Sequence, residues 1–266
     1  SINIKSGLPA CAFWALPLLA ATYFAALAGC SKAPIEGSDN PSDAGTTDAG
    51  VNTDEGPPQD VSFSPVGCLR DPNCTRAMVV AHRGLHSLHP ENSLRSIRAA
   101  AAIGVEMVEI DVRHTSDLQL VLMHDAEVDR TTDGTGVVSD LDLDTVSQLR
   151  LTGGDPSDAE DSVVPTLAQA LEVARQEGVM IYLDQKTNRW DLVMDVLEDF
   201  GAYDLVLVRD DVDILVQMVE RDERFLFMAP VKSESRLDDV TTQLPSIPIL
   251  EIGSPLADPA LTQAIR

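Results

Sequence analysis

Basic residues are scarce in this chain of 266 residues. Lysine and arginine together number 19, against 43 aspartate and glutamate residues, and the formal net charge is -24. A nucleic-acid partner would need a local excess of Lys and Arg to neutralise its phosphates, and no window of the sequence supplies one. We therefore exclude nucleic acid as a partner. An anionic small molecule stays possible if a cation lies in its site.

Cysteine is also scarce, and this limits the metal chemistry that the chain can perform. Four cysteines occur, two of them within the first thirty residues. The other two, Cys68 and Cys74, lie together in CLRDPNC. Two thiols without neighbouring ligands make a poor metal site, so we expect them to form a disulfide in an oxidising compartment.

Residues 8–29 form a long apolar run, LPACAFWALPLLAATYFAALAG. The run follows Lys5 and ends in LAGC, a small-residue cleavage pattern with a cysteine after the cut. We predict a bacterial lipoprotein signal peptide over residues 1–29, with Cys30 as the lipidated first residue of the mature protein. The alternative is an uncleaved membrane helix, because the run is almost long enough to span a bilayer. A lipid on Cys30 would anchor the protein in the cell envelope, on the periplasmic or outer-membrane side.

Residues 30–60 contain almost no large apolar side chain and are rich in Ser, Gly, Pro, Asp and Thr. Such a segment cannot bury enough surface to offset the entropy of ordering. We predict a disordered acidic linker over residues 30–60 and a folded domain over residues 61–266.

From residue 77 onward, short apolar runs alternate with helical patterns. The predicted strands are AMVVAH, VEMVEIDV, LQLVLMH, VMIYLD, DLVLVR, RFLFMA and IPILEI. The predicted helices include NSLRSIRAAAAIG, TLAQALEVARQEG and NRWDLVMDVLEDFG. This alternation predicts a parallel sheet with more than half of the units of an eight-fold βα barrel. A doubly wound open sheet is the alternative, but no glycine-rich phosphate loop follows the first strand.

Two carboxylates lie two residues apart in the predicted strand VEIDV. Glu109 and Asp111 therefore project from one face of the strand, while the valine and isoleucine residues between and beside them face the other way. Two carboxylates on a buried face need a cation. A strand end that reaches solvent, or a pair of acids that bind a basic helix, would explain the same pattern without a site.

Two histidines lie at the carboxyl ends of predicted strands. His82 ends AMVVAH and His124 ends LQLVLMH. In a parallel barrel the carboxyl ends of the strands surround the active site. Two histidines at this rim could serve as general base and general acid, since imidazole changes protonation near neutral pH. A single histidine at a strand end is more often structural.

A third acid, Asp184, ends VMIYLD, and Lys186 follows two residues later on the same face. Three carboxylates without a cysteine favour a hard divalent ion, Ca²⁺ or Mg²⁺, over zinc. Lys186, Arg83 and the metal would then give this acidic protein a local positive site for a phosphate. An ordinary exposed lysine is the alternative for Lys186.

A series of short motifs over residues 78–190 closely resembles the glycerophosphodiester phosphodiesterase family in order and spacing. The motifs are AHRG, PENS, VEIDVRHTSD, LVLMHDAEVDRTTDGTG, VPTL and LDQK. The resemblance implies a (β/α)₈ barrel, a divalent metal, and hydrolysis of glycerophosphodiesters to glycerol 3-phosphate and an alcohol. It also implies that the substrate's own glycerol hydroxyl attacks phosphorus while the two histidines move the protons.

The resemblance assigns the family's functional residues to individual positions of this chain. His82 and His124 match the family's acid-base pair, Glu109 and Asp111 match two metal ligands, and Arg83 matches a phosphate-binding arginine. Each of these residues is also a candidate from the strand and charge patterns described above.

Two further residues concern the metal site, and one of them departs from the family pattern. Glu91 falls on the Pro-Glu-Asn element, which the resemblance places near the metal as a supporting residue. The family usually has Glu where this chain has Asp184, with Lys186 two positions later. Because Asp is one methylene shorter, it could bind the metal directly, through a water, or weakly.

The C-terminal part of the sequence also departs from the family pattern. After PILEIG the family usually continues through two more strands, so we expect this chain to form a barrel that lacks its last strands. A second hypothesis is a non-catalytic surface protein that binds phosphodiesters or a partner, motivated by Asp184 and these strands. A third is a related phospholipase D-like barrel enzyme, which the Pro-Glu-Asn element and RTTDGTG disfavour.

Overall fold

The fold is built on a sheet of mostly parallel strands, seen in a computed structural model that describes residues 11–13, 63–71, 73–231, 233–244 and 249–252. The strands are β1 (Cys11–Phe13), β2 (Val80–Ala81), β3 (Met107–His114), β4 (Leu120–Leu122), β5 (Met180–Gln185), β6 (Val206–Arg209), β7 (Leu226–Val231) and β8 (Ile249–Ile252). Their order across the sheet is β1-β8-β7-β6-β5-β3-β2, and every neighbouring pair in that order is parallel.

Helices connect the parallel strands. They are α1 (Pro65–Arg70), α2 (Leu94–Ala102), α3 (Leu143–Gln148), α4 (Ala159–Ser162), α5 (Leu167–Glu177), α6 (Trp190–Phe200), α7 (Val212–Arg221) and α8 (Glu234–Gln243), with a 3₁₀ turn at Val138–Asp140. The strands β2, β3, β5, β6, β7 and β8 curl into part of a (β/α)₈ barrel, which confirms the predicted fold class with six of the eight strands such a barrel requires. Among the described helices, none combines the length and the apolar character needed to cross a bilayer.

The helix boundaries follow from local sequence. Ser93 caps α2 by accepting a hydrogen bond from the backbone N–H of Ser96, in agreement with the prediction of an N-cap at Asn92 or Ser93. Thr166 and Gln169 form a capping box at the start of α5. Gly178 ends α5 in the left-handed conformation at φ 67°, which glycine adopts without steric cost.

β4 departs from the predicted pattern. The sequence predicts LQLVLMH as one more strand of the parallel series, but β4 runs antiparallel to β3. Residues 115–119 connect the two strands, and the backbone N–H of Thr115 donates to the carbonyl of Gln119 at 2.9 Å. A connection this short can only make a hairpin, since a parallel crossover needs about a dozen residues or more.

The two faces of the sheet bury different residues. Val108, Ile110 and Val112 point outward and are fully buried in the layer between sheet and helices, as the alternation in β3 predicts. Burial of a side chain such as Ile110 contributes about 1.5–3 kcal/mol. A second cluster fills the inner face, and Val66 and Leu69 of α1 pack against it. The strand residues of this inner cluster are Met107, Met180, Leu207, Leu226, Met228 and Ile249.

Cys68 of α1 forms a disulfide with Cys74, the pairing predicted from the sequence. Of the predicted signal peptide, the structure describes residues 11–13, which form β1 beside β8. Cleavage before Cys30 would remove this strand from the mature chain. Cys30 itself and the predicted linker lie outside the described residues.

Candidate active site

Three carboxylates meet at the carboxyl ends of the adjacent strands β3 and β5. Asp111 pairs in register with Asp184, and Glu109 lies two residues earlier on the same face of β3. One carboxylate oxygen from each residue lies within 4.8 Å of the other two. Glu109 and Asp111 are buried and Asp184 is partly buried. The strand register thus brings together the three residues predicted as metal ligands.

These buried carboxylates have the properties of a cation site. Burial and, next to it, the neighbouring charge of Asp111 together raise the pKa of Glu109 to about 8. Asp111 is fully buried, and its Oδ1 accepts no hydrogen bond from the described residues, although Lys186 Nζ lies 3.3 Å away. The three carboxylate oxygens lie within 4.8 Å of one another. This separation is about twice a calcium–oxygen distance of about 2.4 Å, so an ion placed between the oxygens can contact them. The residues present therefore fit a hard divalent cation.

Asp184 is held by two basic side chains. Lys186 Nζ donates to Asp184 Oδ2 at 2.7 Å, and Arg209 Nη1 donates to Asp184 Oδ1 at 3.2 Å. Arg209 Nε also donates to Glu251 Oε2 on β8, at 2.6 Å. The predicted proximity of Asp184 and Lys186 is therefore present. Arg209 is a further cation of this site that the sequence patterns do not indicate.

Asn92 fixes the position of the Asp111 carboxylate. Its Nδ2 donates to Asp111 Oδ2 at 3.0 Å, and its Oδ1 accepts the backbone N–H of Asp111 at 3.1 Å. Asn92 is buried and has a positive φ of 59°, a left-handed conformation that asparagine tolerates better than most residues. This pair of hydrogen bonds explains why the Pro-Glu-Asn turn lies beside β3.

Arg83 contacts two of the acids from the turn after β2. Its backbone N–H donates to Glu109 Oε2 at 2.8 Å, and its Nε lies 3.3 Å from Asp111 Oδ2. Arg83 has a positive φ of 54°, and Gly84 follows at 77°. A side chain at Gly84 would collide with Ser96 of α2, so the turn needs glycine for packing as well as for its backbone conformation.

Glu91 binds two arginines and is not part of the acidic triad. Its Oε1 accepts hydrogen bonds from Arg83 Nη1 at 3.0 Å and Arg130 Nη2 at 2.7 Å, and its Oε2 accepts one from Arg130 Nη1 at 2.9 Å. Burial alone would raise the pKa of Glu91, but the hydrogen bonds and charges of Arg130 and Arg83 outweigh it and lower that pKa. Glu91 therefore orients the predicted phosphate-binding arginine.

His82 directly follows β2 at the rim of the triad. Its side chain is 61% exposed, and its Nε2 lies 3.9 Å from Glu109 Oε2. Partial burial and the charge of Arg83 lower the pKa of His82, and a charge on His124 lowers it too. The two predicted acid-base histidines thus lie within electrostatic range of each other.

His124 is held by two neighbours. Its Nδ1 lies 2.7 Å from Asp125 Oδ1, and its backbone carbonyl accepts hydrogen bonds from Arg113 Nε at 3.0 Å and Nη2 at 2.8 Å. Hydrogen bonds from Arg130 and His124 lower the pKa of Asp125. Arg130, which also binds Glu91, therefore connects the loop after β4 to the loop after β2.

His86 and His89 have no predicted role, and the structure gives both a contact. His86 Nδ1 lies 2.8 Å from the backbone carbonyl of His82. His89 Nδ1 lies 2.9 Å from Asp161 Oδ1, on the segment that precedes α5. Neither ring is part of the acidic triad.

A partial (β/α)₈ barrel whose carboxyl edge carries three clustered acids, with histidines and basic side chains beside them, defines a barrel protein with a charged candidate active site. A sequence model of the glycerophosphoryl diester phosphodiesterase family matches residues 82–266. The chain belongs to this family.

Curated relatives share part of their length with this chain. Human glycerophosphodiester phosphodiesterase 1 is 41% identical over 113 residues, which are 42% of this chain and 34% of the human protein. A glycerophosphodiester phosphodiesterase from Caldanaerobacter subterraneus is 32% identical over 115 residues, which are 42% of this chain and 46% of that protein. The chain thus spans less than half the length of these relatives.

Solved structures share the fold more completely. A phosphodiesterase from Oleispira antarctica, in complex with the product sn-glycerol-3-phosphate, has a TM-score of 0.64 and 26% identity, over 71% of this chain and 80% of that one. A glycerophosphodiester phosphodiesterase from Agrobacterium tumefaciens has a TM-score of 0.62 and 24% identity, over 72% of this chain and 83% of that one. The second likeness concerns the fold alone.

Proposed function

We propose that this protein hydrolyses glycerophosphodiesters to glycerol 3-phosphate and an alcohol. The observation that carries the proposal is the position of His82 beside the buried triad, within electrostatic range of His124. Acid-base groups beside a cation site and two basic side chains suit the cleavage of an anionic diester. The names of the curated relatives and the product bound in the Oleispira antarctica structure support the same reaction.

Arg83 and Lys186 would bind the phosphate oxygens of the substrate. Both side chains lie against Asp111, so their positive charge is already directed into the site. Glu109, Asp111 and Asp184 would hold a Ca²⁺ or Mg²⁺ ion. The ion, when bound, supplies positive charge that stabilises the negative charge developing on phosphate and hydroxyl oxygens.

His82 and His124 would move the protons of the reaction. One histidine removes the proton from the glycerol hydroxyl that attacks phosphorus, and the other protonates the oxygen of the leaving alcohol as its bond to phosphorus breaks. Attack by a hydroxyl of the same molecule needs less ordering than the capture of a water. Water then opens the cyclic phosphate, with the histidines acting in the reverse sense, to give glycerol 3-phosphate.

The test is release of glycerol 3-phosphate from a glycerophosphodiester by the purified chain, with and without a chelator. We expect chelation to abolish turnover and His82→Ala or His124→Ala to lower kcat by about 10²- to 10⁴-fold. His114→Ala is the matched control, because His114 contacts Thr187 and none of the three acids. Full activity in chelator, or in both site variants, would show that another site performs the reaction.

We also propose that Cys30 carries a lipid and anchors the protein on the periplasmic or outer-membrane side of a bacterial envelope. The support is the apolar run and the LAGC pattern before that cysteine. In a bacterial host, the full chain should incorporate labelled palmitate and fractionate with membranes, and Cys30→Ser should do neither. Label that persists in Cys30→Ser would refute the proposal.

A further inference from the structure

A cavity of about 370 Å³ lies between the loop after β2 and the segments that carry Arg130 and Thr152. The loop after β2 lines one wall, and Arg130, Thr131, Thr152 and Gly153 line the other. Its volume lies within the range of small-molecule sites in proteins. It is far larger than a phosphate needs, so it has room for a further part of a ligand.

Two residues that line the cavity, His86 and Arg130, connect it to the predicted acid-base pair. His86 lines it, and the His86 ring lies edge-on to the His82 ring with centroids 6.0 Å apart. Arg130 also lines it and donates to the Asp125 carboxylate that contacts His124. A ligand in the cavity would therefore extend from the place where the histidines act.

The cavity lies away from the acidic triad. Glu109, Asp111 and Asp184 do not line it. If the proposed function holds, the phosphate lies between Arg83, Lys186 and the cation, and the glycerol hydroxyl lies on the cation side. The substituent that extends into the cavity is then the other ester group of the phosphate, the leaving alcohol.

The chemistry of the lining selects among leaving alcohols. Within the described residues, the lining contains no Phe, Tyr or Trp, and its one carboxylate, Glu91, is bound by Arg83 and Arg130. A quaternary ammonium group is usually recognised by aromatic rings, and no free carboxylate replaces them here. The hydroxyls of Ser87 and Thr152 have no hydrogen-bond partner within the described residues, so both can bind ligand hydroxyls.

We propose that this cavity is the subsite for the leaving alcohol and that it favours hydroxyl-rich head groups, such as glycerol or inositol, over choline. The proposal rests on the proposed function and specifies its substrate class. Ser87 and Thr152 act as specificity residues, and Arg130 provides a charged donor already oriented by Glu91 and Asp125.

The test compares three substrates that share the glycerophosphoryl part. They are glycerophosphoglycerol, glycerophosphocholine and the methyl ester of glycerol 3-phosphate, which has no head group to fill the cavity. We expect kcat/KM for glycerophosphoglycerol to exceed that for the other two by roughly three- to tenfold for each hydrogen bond gained.

Two variants locate the effect in the cavity. Ser87→Ala and Thr152→Val should each raise KM for glycerophosphoglycerol by roughly three- to tenfold and leave kcat and the methyl ester kinetics unchanged. Thr241→Val is the matched control. The Thr241 hydroxyl donates to backbone carbonyls within α8, and Thr241 does not line the cavity. The Thr241→Val substitution should leave the kinetics of glycerophosphoglycerol and of the methyl ester unchanged.

Two outcomes would overturn the proposal while leaving the proposed function intact. One is turnover of glycerophosphocholine at or above the level of glycerophosphoglycerol, and the other is an equal effect of Thr152→Val on the methyl ester. Failure of all three substrates to turn over would instead refute the proposed function. The subsite would then be tested by calorimetric binding of glycerophosphoglycerol and glycerophosphocholine, and equal or absent binding would overturn it.

Discussion

Arg113 of β3 donates two hydrogen bonds to the backbone carbonyl of His124, and a third, from Nη1, to the carbonyl of Lys186 at 3.1 Å. One guanidinium thus joins the segments that carry a predicted acid-base residue and a predicted phosphate-binding residue. Its planar arrangement of donors suits this role, which a lysine ammonium cannot reproduce. Arg113 is therefore a positioning residue.

We expect Arg113→Lys to lower kcat by about 10- to 100-fold, because small displacements of reacting groups are costly. KM should change much less, since the phosphate-binding side chains remain. The measurement is steady-state hydrolysis together with thermal unfolding, to verify that the variant is folded. Arg221→Lys is the control, because Arg221 binds acids of α6 that are not part of the site. A folded Arg113→Lys enzyme with the activity of the unaltered chain would contradict the positioning role.

The hydrogen bonds between Asn92 and Asp111 predict a stability effect. Asn92→Asp keeps the shape and the tolerance for positive φ, but it replaces the amide donor by a carboxylate that faces Asp111. We expect the variant to lose about 2–3 kcal/mol of unfolding free energy in the absence of divalent ions. Urea unfolding measures it. Asn73→Asp is the control, since Asn73 also donates to an aspartate, Asp71, but in an exposed turn. Equal effects of the two substitutions would refute the argument.

Divalent ions should stabilise the folded chain through the acidic triad. At a calcium or magnesium concentration of about 100 times the dissociation constant, the gain is about 2.7 kcal/mol. A domain of this size should then unfold about 5–10 °C higher. Asp111→Asn should lose most of this shift, and Asp213→Asn, which alters an exposed acid of α7, should keep it. If the unfolding temperature of Asp111→Asn rises as much as that of the unaltered chain, the ion binds at a site other than the acidic triad.

Asp210 predicts a pH dependence of stability. Burial raises its pKa from 3.8 to about 6, and its Oδ2 accepts a hydrogen bond from Gln185 Nε2 at 2.6 Å. Between these two values the folded chain retains a proton that the unfolded chain has lost, so stability falls as pH rises through this window. After discounting for partial exposure, the loss is about 1–2 kcal/mol.

Asp210→Asn should remove this part of the pH dependence. The comparison is the unfolding free energy at pH 4 and pH 7, in chelator, for the unaltered chain and the variant. Because only the difference between the two pH values is used, any pH-independent cost of the substitution cancels. An unchanged difference would mean that Asp210 ionises in the folded chain as it does in the unfolded one.

Local sequence patterns predict the parts of the site that depend on strand periodicity. Glu109 and Asp111 share a face because side chains alternate in β3, and Asp184 joins them because parallel strands end at the same edge. The direction of β4 follows from the length of the connection before it. The apolar pattern of LQLVLMH indicates a strand but not its direction.

The contacts that support the site could not be predicted in this way. Arg130 reaches Glu91 across 39 positions of the sequence, and Arg209 reaches Asp184 across 25. These contacts depend on how loops and neighbouring strands lie in space, and no periodicity of the sequence reports them. No pattern described above indicates Asp125, but a carboxylate next to a candidate acid-base histidine is a local signal that identifies it from the sequence.

The bridge made by Arg130 has a consequence for engineering. Because Arg130 binds Glu91 and Asp125 at once, the loop after β2 and the loop after β4 form one mechanical unit. A graft of either loop alone from a relative with a different head-group preference would leave a partly buried acid without its arginine or an arginine without its acids. The two segments are best exchanged together, as a single cassette.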